Sequence, residues 1–385
     1  MPEFLPFRAI RYADPQSLQD RAAPPYDVIE DDERASLQTR DPYNSIRLIL
    51  PGSYEGAASD LARWRADGVV AVDDTPTFTI YRMTYTDDDG ITRTTTGVLG
   101  ALGLDGGVLP HERTIPKHRD DRLRLLRATR TNTDPIWGLS LTGGLGAALA
   151  PLTAAPADVR SVDDDGVVHE AWIVREADAI ARITDLVGES PVVLADGHHR
   201  YQTARNYRDE APGTPGVNAI MTYVVELAAE EMWVQAIHRA ITNLDEFSLR
   251  DALSDSFTIT PLDEVRLGTL TLVDREGLWK LEPNADVAAA AAAAEPDPVG
   301  DTDAVLFEHA IASVLPEAAD VRYPHGARRL ASWVEKGEID AAVLLRPVTV
   351  EQIHLAAERD LRFPQKSTFF APKPRTGFVF RTLDD

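Results

Sequence analysis

Pro191-Val192-Val193-Leu194-Ala195-Asp196-Gly197-His198-His199-Arg200-Tyr201 is a short apolar run that breaks on a polar turn. Five residues opened by a proline predict a buried strand. Tyr201 to Arg208 then predicts a helix, with Tyr201, Ala204 and Tyr207 on one side. Where a strand passes straight into a helix, the first backbone N–H groups of the helix lack an internal partner and attract anions. Gly197 lets the chain turn sharply and approach a ligand closely. Arg200 can fork onto phosphate oxygens. His198 and His199 point in different directions, so one can face a ligand while the other packs. The plainer reading is a satisfied polar turn with Asp196 as helix N-cap, but two histidines and an arginine in a row are unusual there.

Working outward, a strand over 167–174 and an amphipathic helix over 176–187 precede this stretch, and a strand over 219–225 follows it. Phe78 to Tyr85 alternates and is rich in β-formers; Asp88-Asp89-Gly90 marks a hairpin turn, and the partner strand runs to Leu102. Helices are expected over 30–40, 54–67, 120–131, 304–314 and 349–360. Buried strands are expected over 136–141 and 340–347. Asp41 to Pro51 predicts another strand, ended by its proline, and 143–156 a Gly/Ala-rich connector. The alanine run 288–294 is expected as a helix end or a linker.

Composition bounds the class. The chain has 385 residues, 44% hydrophobic and 26% charged, the ordinary globular range for two or three domains. It has no cysteine, which excludes disulfides and thiolate chemistry. No apolar run is long enough to cross a bilayer, and the start lacks a basic and apolar leader, so the expectation is a cytoplasmic protein with no membrane partner. A net charge of -23 opposes non-specific nucleic-acid binding. Acidic triplets such as Asp87-Asp88-Asp89 and Asp163-Asp164-Asp165 are expected as solvated turns.

Three further constellations carry chemistry. In Pro110-His111-Glu112 a carboxylate beside a histidine is a possible acid/base pair, and Glu112 near a helix start would equally suit the dipole. Lys117, His118, Arg119, Arg122, Arg124, Arg127 and Arg130 form a basic cluster in an acidic protein: a phosphate clamp, or a solvated face paired with Asp120 and Asp121. Lys366-Ser367-Thr368 sets a lysine beside two hydroxyls in a basic, aromatic tail, and suits phosphate or carboxylate, or simply an edge strand. Ala23-Pro24-Pro25-Tyr26-Asp27 is a turn whose Asp27 is a weak metal candidate. Walker-type, dinucleotide and G-x-S-x-G fingerprints are absent.

Six blocks resemble the prokaryotic family catalogued as domain of unknown function 1015. They are Ala23-Pro24-Pro25-Tyr26-Asp27-Val28-Ile29, Asn44-Ser45-Ile46-Arg47-Leu48, His111-Glu112-Arg113-Thr114, Asp121-Arg122-Leu123, Ala195-Asp196-Gly197-His198-His199-Arg200-Tyr201 and Lys366-Ser367-Thr368-Phe369-Phe370. More distantly, Leu109-Pro110-His111-Glu112 followed by Leu194 to Tyr201 is similar to the ParB/sulfiredoxin-type fold, and within it to free-serine kinases. That resemblance implies an α+β fold: a ParB/sulfiredoxin-like core over 101–245, an N-terminal α/β region over 1–100, and a C-terminal α/β region over 246–385 whose basic tail contributes to the site. It implies a kinase moving a phosphoryl group to a small-molecule hydroxyl, that of L-serine for instance.

Carried over, Glu112 would be the base. His198, His199 and Arg200 would bind the transferring phosphate with Gly197. Asp196 would orient the turn or contact a Mg²⁺-bound phosphate. His111, Arg127, Arg130, Lys366, Ser367 and Thr368 complete the expected binding set, with no protein metal cage and a nucleotide or pyrophosphate donor. The departure from the compact kinases is a long insert between Glu112 and Asp196. The rival readings are a phosphatase or nucleotide hydrolase using the same turn, and a non-catalytic nucleotide-sensing or DNA-associated ParB-like module.

Overall fold

In the computed structural model, which describes residues 1–87, 90–113, 119–228 and 232–384, the alternating run at Phe78 forms one arm of a long hairpin. Strand β1 (Phe78–Thr86) pairs antiparallel with β2 (Thr92–Gly103), from Thr79 opposite Leu99 to Thr86 opposite Thr92. Asp88 and Asp89, expected at its tip, lie outside the described residues. Gly100 is required here, because a Cβ would sit 2.4 Å from the Phe4 ring, which stacks on Phe78 at 5.1 Å.

The chain falls into two compact units, residues 1–110, 114–232 and 372–385, and residues 111–113 and 233–371. In the first, the hairpin is the middle of a nine-stranded sheet. The other main strands are β3 (Val108–Pro110), β4 (Ile136–Ser140), β5 (Val159–Val162), β6 (Val168–Val174), β7 (Val192–Asp196) and β8 (Ala219–Glu226). Their order is β3-β7-β4-β8-β2-β1-β6-β5, with Phe4–Leu5 added on β2. Two neighbouring pairs are parallel: β3 with β7, Pro110 opposite Leu194, and β4 with β8. The strands β3 and β7 therefore leave the sheet side by side at their carboxyl ends.

A boundary expected at residue 100 would cut β2, which is paired on both sides. A small sheet joins the two ends of the chain: Ala9–Tyr12 pairs with Phe380–Thr382 and with Val70–Val72. Buried Trp64 packs there against Tyr12 and Tyr43.

The α+β class holds, and three local expectations do not. Ile46–Ile49 is a helical turn, not a strand. The Asn44 side chain accepts the Ile46 N–H at 2.9 Å and starts the turn. Ile46, Leu48 and Ile49 are all buried, so no face was left to show a period. In the expected connector, Leu145–Leu149 is helical and buries Leu145 and Leu149. The first aspartate of each acidic triplet is not a solvated one: Asp87 is buried and Asp163 half-buried. Asp87 accepts from Ile91 N and pairs with Arg93 at 2.6 Å. Asp163 accepts from Val167 N and pairs with His169 at 3.1 Å. Each closes its own turn.

The second unit holds a six-stranded antiparallel sheet of β9 (Arg239–Thr242), β10 (Phe257–Leu262), β11 (Thr271–Asp274), β12 (Gly277–Pro283), β13 (Asp320–Arg322) and β14 (Ala341–Leu344), in the order β10-β12-β11-β14-β9-β13. The Ala327–Glu335 helix buries Leu330 and Val334 against it. The alanine run lies in a helix, Ala285–Ala294, capped by the Asn284 side chain on Val287 N. The helix expected over 304–314 begins as Asp303–Leu306, widens to a π-type turn over Phe307–Ile311 and tightens over Ala312–Val314.

His238 ties β9 to the chain beyond β14, its Nδ1 accepting the Leu345 N–H at 3.1 Å. Burial, then Arg239 and His325, push this imidazole down to about 4 from its ordinary 6.5. The neutral ring is the folded form, so the unfolded chain takes up the extra proton first. The His238 contribution is complete above pH 6.5 and is lost as pH falls from 6.5 towards about 4. At about pH 5 the loss should reach roughly 2 kcal/mol, at about 1.36 kcal/mol per unit. Urea titrations at neutral pH and about pH 5 should show that share of the acid loss gone in His238→Gln. Equal acid losses in both proteins would contradict it.

Among the described residues no helix is long and apolar enough to cross a membrane.

Candidate functional site

Strand β7 ends at Asp196, and the His198–Glu210 helix begins two residues later. Gly197 makes the junction with φ +89, and a Cβ there would lie 2.6 Å from Ile136 Cγ2. Gly197, at the N-cap position, has no side chain to cap the helix. His198 and His199 are its first two residues, both half-buried. Gly197→Ala combines left-handed strain with a clash against a buried side chain. It should cost roughly 2–4 kcal/mol, read as a lowered urea midpoint; an unchanged midpoint would show that the turn can relax.

Behind the turn runs a chain of alternating charges, all in the first unit. Lys373 Nζ donates to Asp27 Oδ2 at 2.7 Å and to Asp196 Oδ1 at 2.8 Å. Arg200 donates to Asp196 Oδ2 at 2.7 Å, to Asp134 Oδ2 at 2.9 Å and to the Pro135 carbonyl. Burial alone would raise the Asp196 carboxyl, but Lys373 and then Arg200 outweigh it and hold Asp196 well below the usual carboxylate range. Burial works against the Lys373 ammonium too, and Asp196 and Asp27 overcome it, so Lys373 stays charged. Tyr26 packs against Arg122 and Arg200, at 4.2 and 5.8 Å from its ring centre. Burial, against the pull of Arg200, lifts its phenol to about 12.

Arg200, expected on phosphate, thus has its guanidinium on Asp134, Asp196 and Pro135. Asp27 is an ion-pair partner of Lys373. Lys373 and Asp134 were not anticipated; the one local hint was a lysine held between Pro372 and Pro374.

The basic cluster does not act as one group. Arg122 is buried and donates to the Ile49 carbonyl at 2.7 Å. Arg127 pairs with Glu210 at 2.8 Å and Arg130 with Asp384 at 2.7 Å, both pairs exposed to solvent. Lys117 and His118 lie outside the described residues, as does the side chain of Arg119.

The second unit contains Glu112 and the tail motif together. Glu112 Oε2 accepts the Lys366 N–H at 3.0 Å. Its Oε1 accepts the N–H groups of Ser367 and Thr368 at 3.2 and 2.9 Å, and the Thr368 hydroxyl at 2.8 Å. His111 Nε2 lies 2.6 Å from Thr368 Oγ1 and 3.5 Å from Glu112 Oε1. Lys366 has φ +57, which turns successive amides to one side. The motif binds an anion through backbone amides and a hydroxyl, and the anion is Glu112. The Ser367 hydroxyl donates to the Pro364 carbonyl at 2.7 Å.

A family model described as protein of unknown function (DUF1015) matches residues 4–305. The chain belongs to this family. The matched part of this DUF1015 protein includes Glu112 and the Asp196 turn; Lys366 to Thr368 and Lys373 lie beyond it. No curated protein matches the chain. Among solved structures it is similar to a free serine kinase in complex with AMP, at 13% identity, covering 74% of this chain and 91% of that one, with a TM-score of 0.41. A conserved hypothetical protein from Pyrococcus furiosus matches at 12% identity over 75% and 96% of the two chains, with a TM-score of 0.41. SbnI with a C-terminal truncation, from Staphylococcus aureus, matches at 11% over 73% and 85%, with a TM-score of 0.41.

Among its described residues, no three His, Asp or Glu side chains of this DUF1015 chain gather as a metal cage. The carboxylates at the turn already face Lys373 and Arg200. Those turn carboxylates are thus engaged by cations and do not stand open to Mg²⁺.

Proposed function

We propose that the protein is a small-molecule kinase that moves a phosphoryl group from a nucleotide or pyrophosphate onto a hydroxyl, with the L-serine side chain as first acceptor to test. The expected ParB/sulfiredoxin-like core is part of this reading. The observation that carries it is the Gly197 junction, where a buried strand opens onto a helix of thirteen residues whose N-cap is a glycine with no side chain. Helix-start amides suit a phosphate's charge, and His198 and His199 stand in the same first turn. Asp196 and Lys373 hold that turn in place through their half-buried ion pair.

Glu112, held in one orientation by three amides and a hydroxyl, is the proton acceptor in this reading. As the acceptor oxygen bonds to phosphorus, its proton passes to the carboxylate and the donor's bridging P–O bond breaks, leaving the shortened phosphate. Positioning and charge neutralisation account for most of the acceleration in such a transfer.

The full chain, incubated with ATP, ADP or pyrophosphate and each of serine, threonine, homoserine and glycerol, tests this by phosphorus NMR. A new phosphoester is expected with at least one pair. Release of inorganic phosphate alone would favour a hydrolase, and no turnover with any pair would sink the kinase reading.

A further inference from the structure

Arg239, at the start of β9 in the second unit, is 1% exposed. Its Nη1 donates to the carbonyls of Ile237 and Lys366, at 2.6 and 3.1 Å. Its guanidinium lies over the rings of Phe307 and Tyr323, at 5.3 and 4.9 Å from their centres. The group is thus fixed in plane and in direction. Among the described residues, neither Nε nor Nη2 has a hydrogen-bond partner. Those two N–H groups form one edge of the guanidinium, the edge that grips two oxygens of a single acid group. A buried cation with two unmet donors on one edge is costly to the fold, so the arrangement calls for an acceptor.

We propose that Arg239 is the recognition residue of a carboxylate-binding site in the second unit. The two unmet N–H groups lie in one plane on one edge, which matches the two coplanar oxygens of a carboxylate. Charge argues the same way. Glu308 and Glu112 both act on Arg239 through space. They tolerate a monoanion better than a phosphate dianion. Glu112 is bound to the amide of Lys366, the residue whose carbonyl Arg239 holds, so one residue links the two. Tyr323, one of the two rings beside the guanidinium, is 49% exposed.

The site does not depend on phosphoryl transfer, and its test needs no donor. Acetate, L-lactate and inorganic phosphate are titrated into the full chain while nitrogen NMR follows the arginine Nε–H signals, with the Arg239 signal assigned by its loss in the variants. Acetate and lactate should shift that signal saturably and raise the unfolding temperature, with phosphate having no such effect. Arg239→Lys keeps the charge without the fork and should bind roughly 10-fold more weakly or worse. Arg239→Met should bind neither acid and unfold at a higher temperature than the unliganded parent, since it removes an unmatched buried charge. A signal indifferent to all three anions overturns the proposal. So does a preference for phosphate, or a Met variant that unfolds at a lower temperature or fails to fold, which would mark Arg239 as a structural strut.

Discussion

Replacing Lys373 with methionine is expected to cost at most roughly 3–5 kcal/mol of stability, the penalty for removing one partner of a fully buried ion pair, since this pair is half-buried. Lys373 donates to both Asp27 and Asp196, and its side chain is only 10% exposed. Asp27, at 35% exposure, can recover water. Asp196 keeps Arg200 on Oδ2 but loses its partner on Oδ1, which favours the lower end of that range.

The pH dependence has a definite sign. In the parent, Lys373 and Arg200 depress the Asp196 carboxyl, so its contribution is complete above the ordinary value of 3.8 and is lost only as pH falls well below it. In Lys373→Met the depression shrinks. The difference between the two proteins should hold from neutrality down to about pH 4 and narrow only as pH falls further, below the ordinary carboxylate value of 3.8. Urea unfolding of parent and variant across that range measures it. A constant difference would show that Lys373 acts through packing and not through charge. Lys373→Arg, which keeps the charge, should lose far less than the methionine variant.

The second large effect is on turnover. Glu112→Gln keeps size and shape and should lower kcat by roughly 10²–10⁴-fold, the range for removing a general base. Its carbonyl oxygen can still accept from Ser367 and Thr368. Its amide nitrogen then faces the Lys366 N–H, donor against donor, which should cost about 1–2 kcal/mol. The two readouts separate the roles. A lowered kcat in a variant that stays folded supports the base. A stability loss of that size with kcat unchanged would make the Glu112 cradle purely architectural.

Much of this was legible along the chain, and what was hidden has a common cause. The hairpin at Phe78 shows its period of two because one face of it meets polar neighbours. The junction at Gly197 is readable because strand, glycine and helix follow one another in sequence. Ile46 to Ile49 gave no period because every side faces protein. The ion chain joins residues far apart: 66 positions separate Arg200 from Asp134 and 177 separate Lys373 from Asp196. No local window contains such a pair. Lys366 to Thr368 was visible as an anion-binding motif, but the anion, Glu112, lies 254 positions away from Lys366. Arg239 carries no local mark at all, since only the fold buries it between Phe307 and Tyr323.

The most direct test of phosphoryl transfer follows the oxygen atoms. The full chain is run with donor and acceptor in water enriched in heavy oxygen, and the products are weighed by mass spectrometry. Transfer to the acceptor's own hydroxyl is expected to give a phosphoester free of solvent oxygen. Inorganic phosphate carrying heavy oxygen, with no phosphoester from any acceptor, would contradict the account and assign the site to hydrolysis.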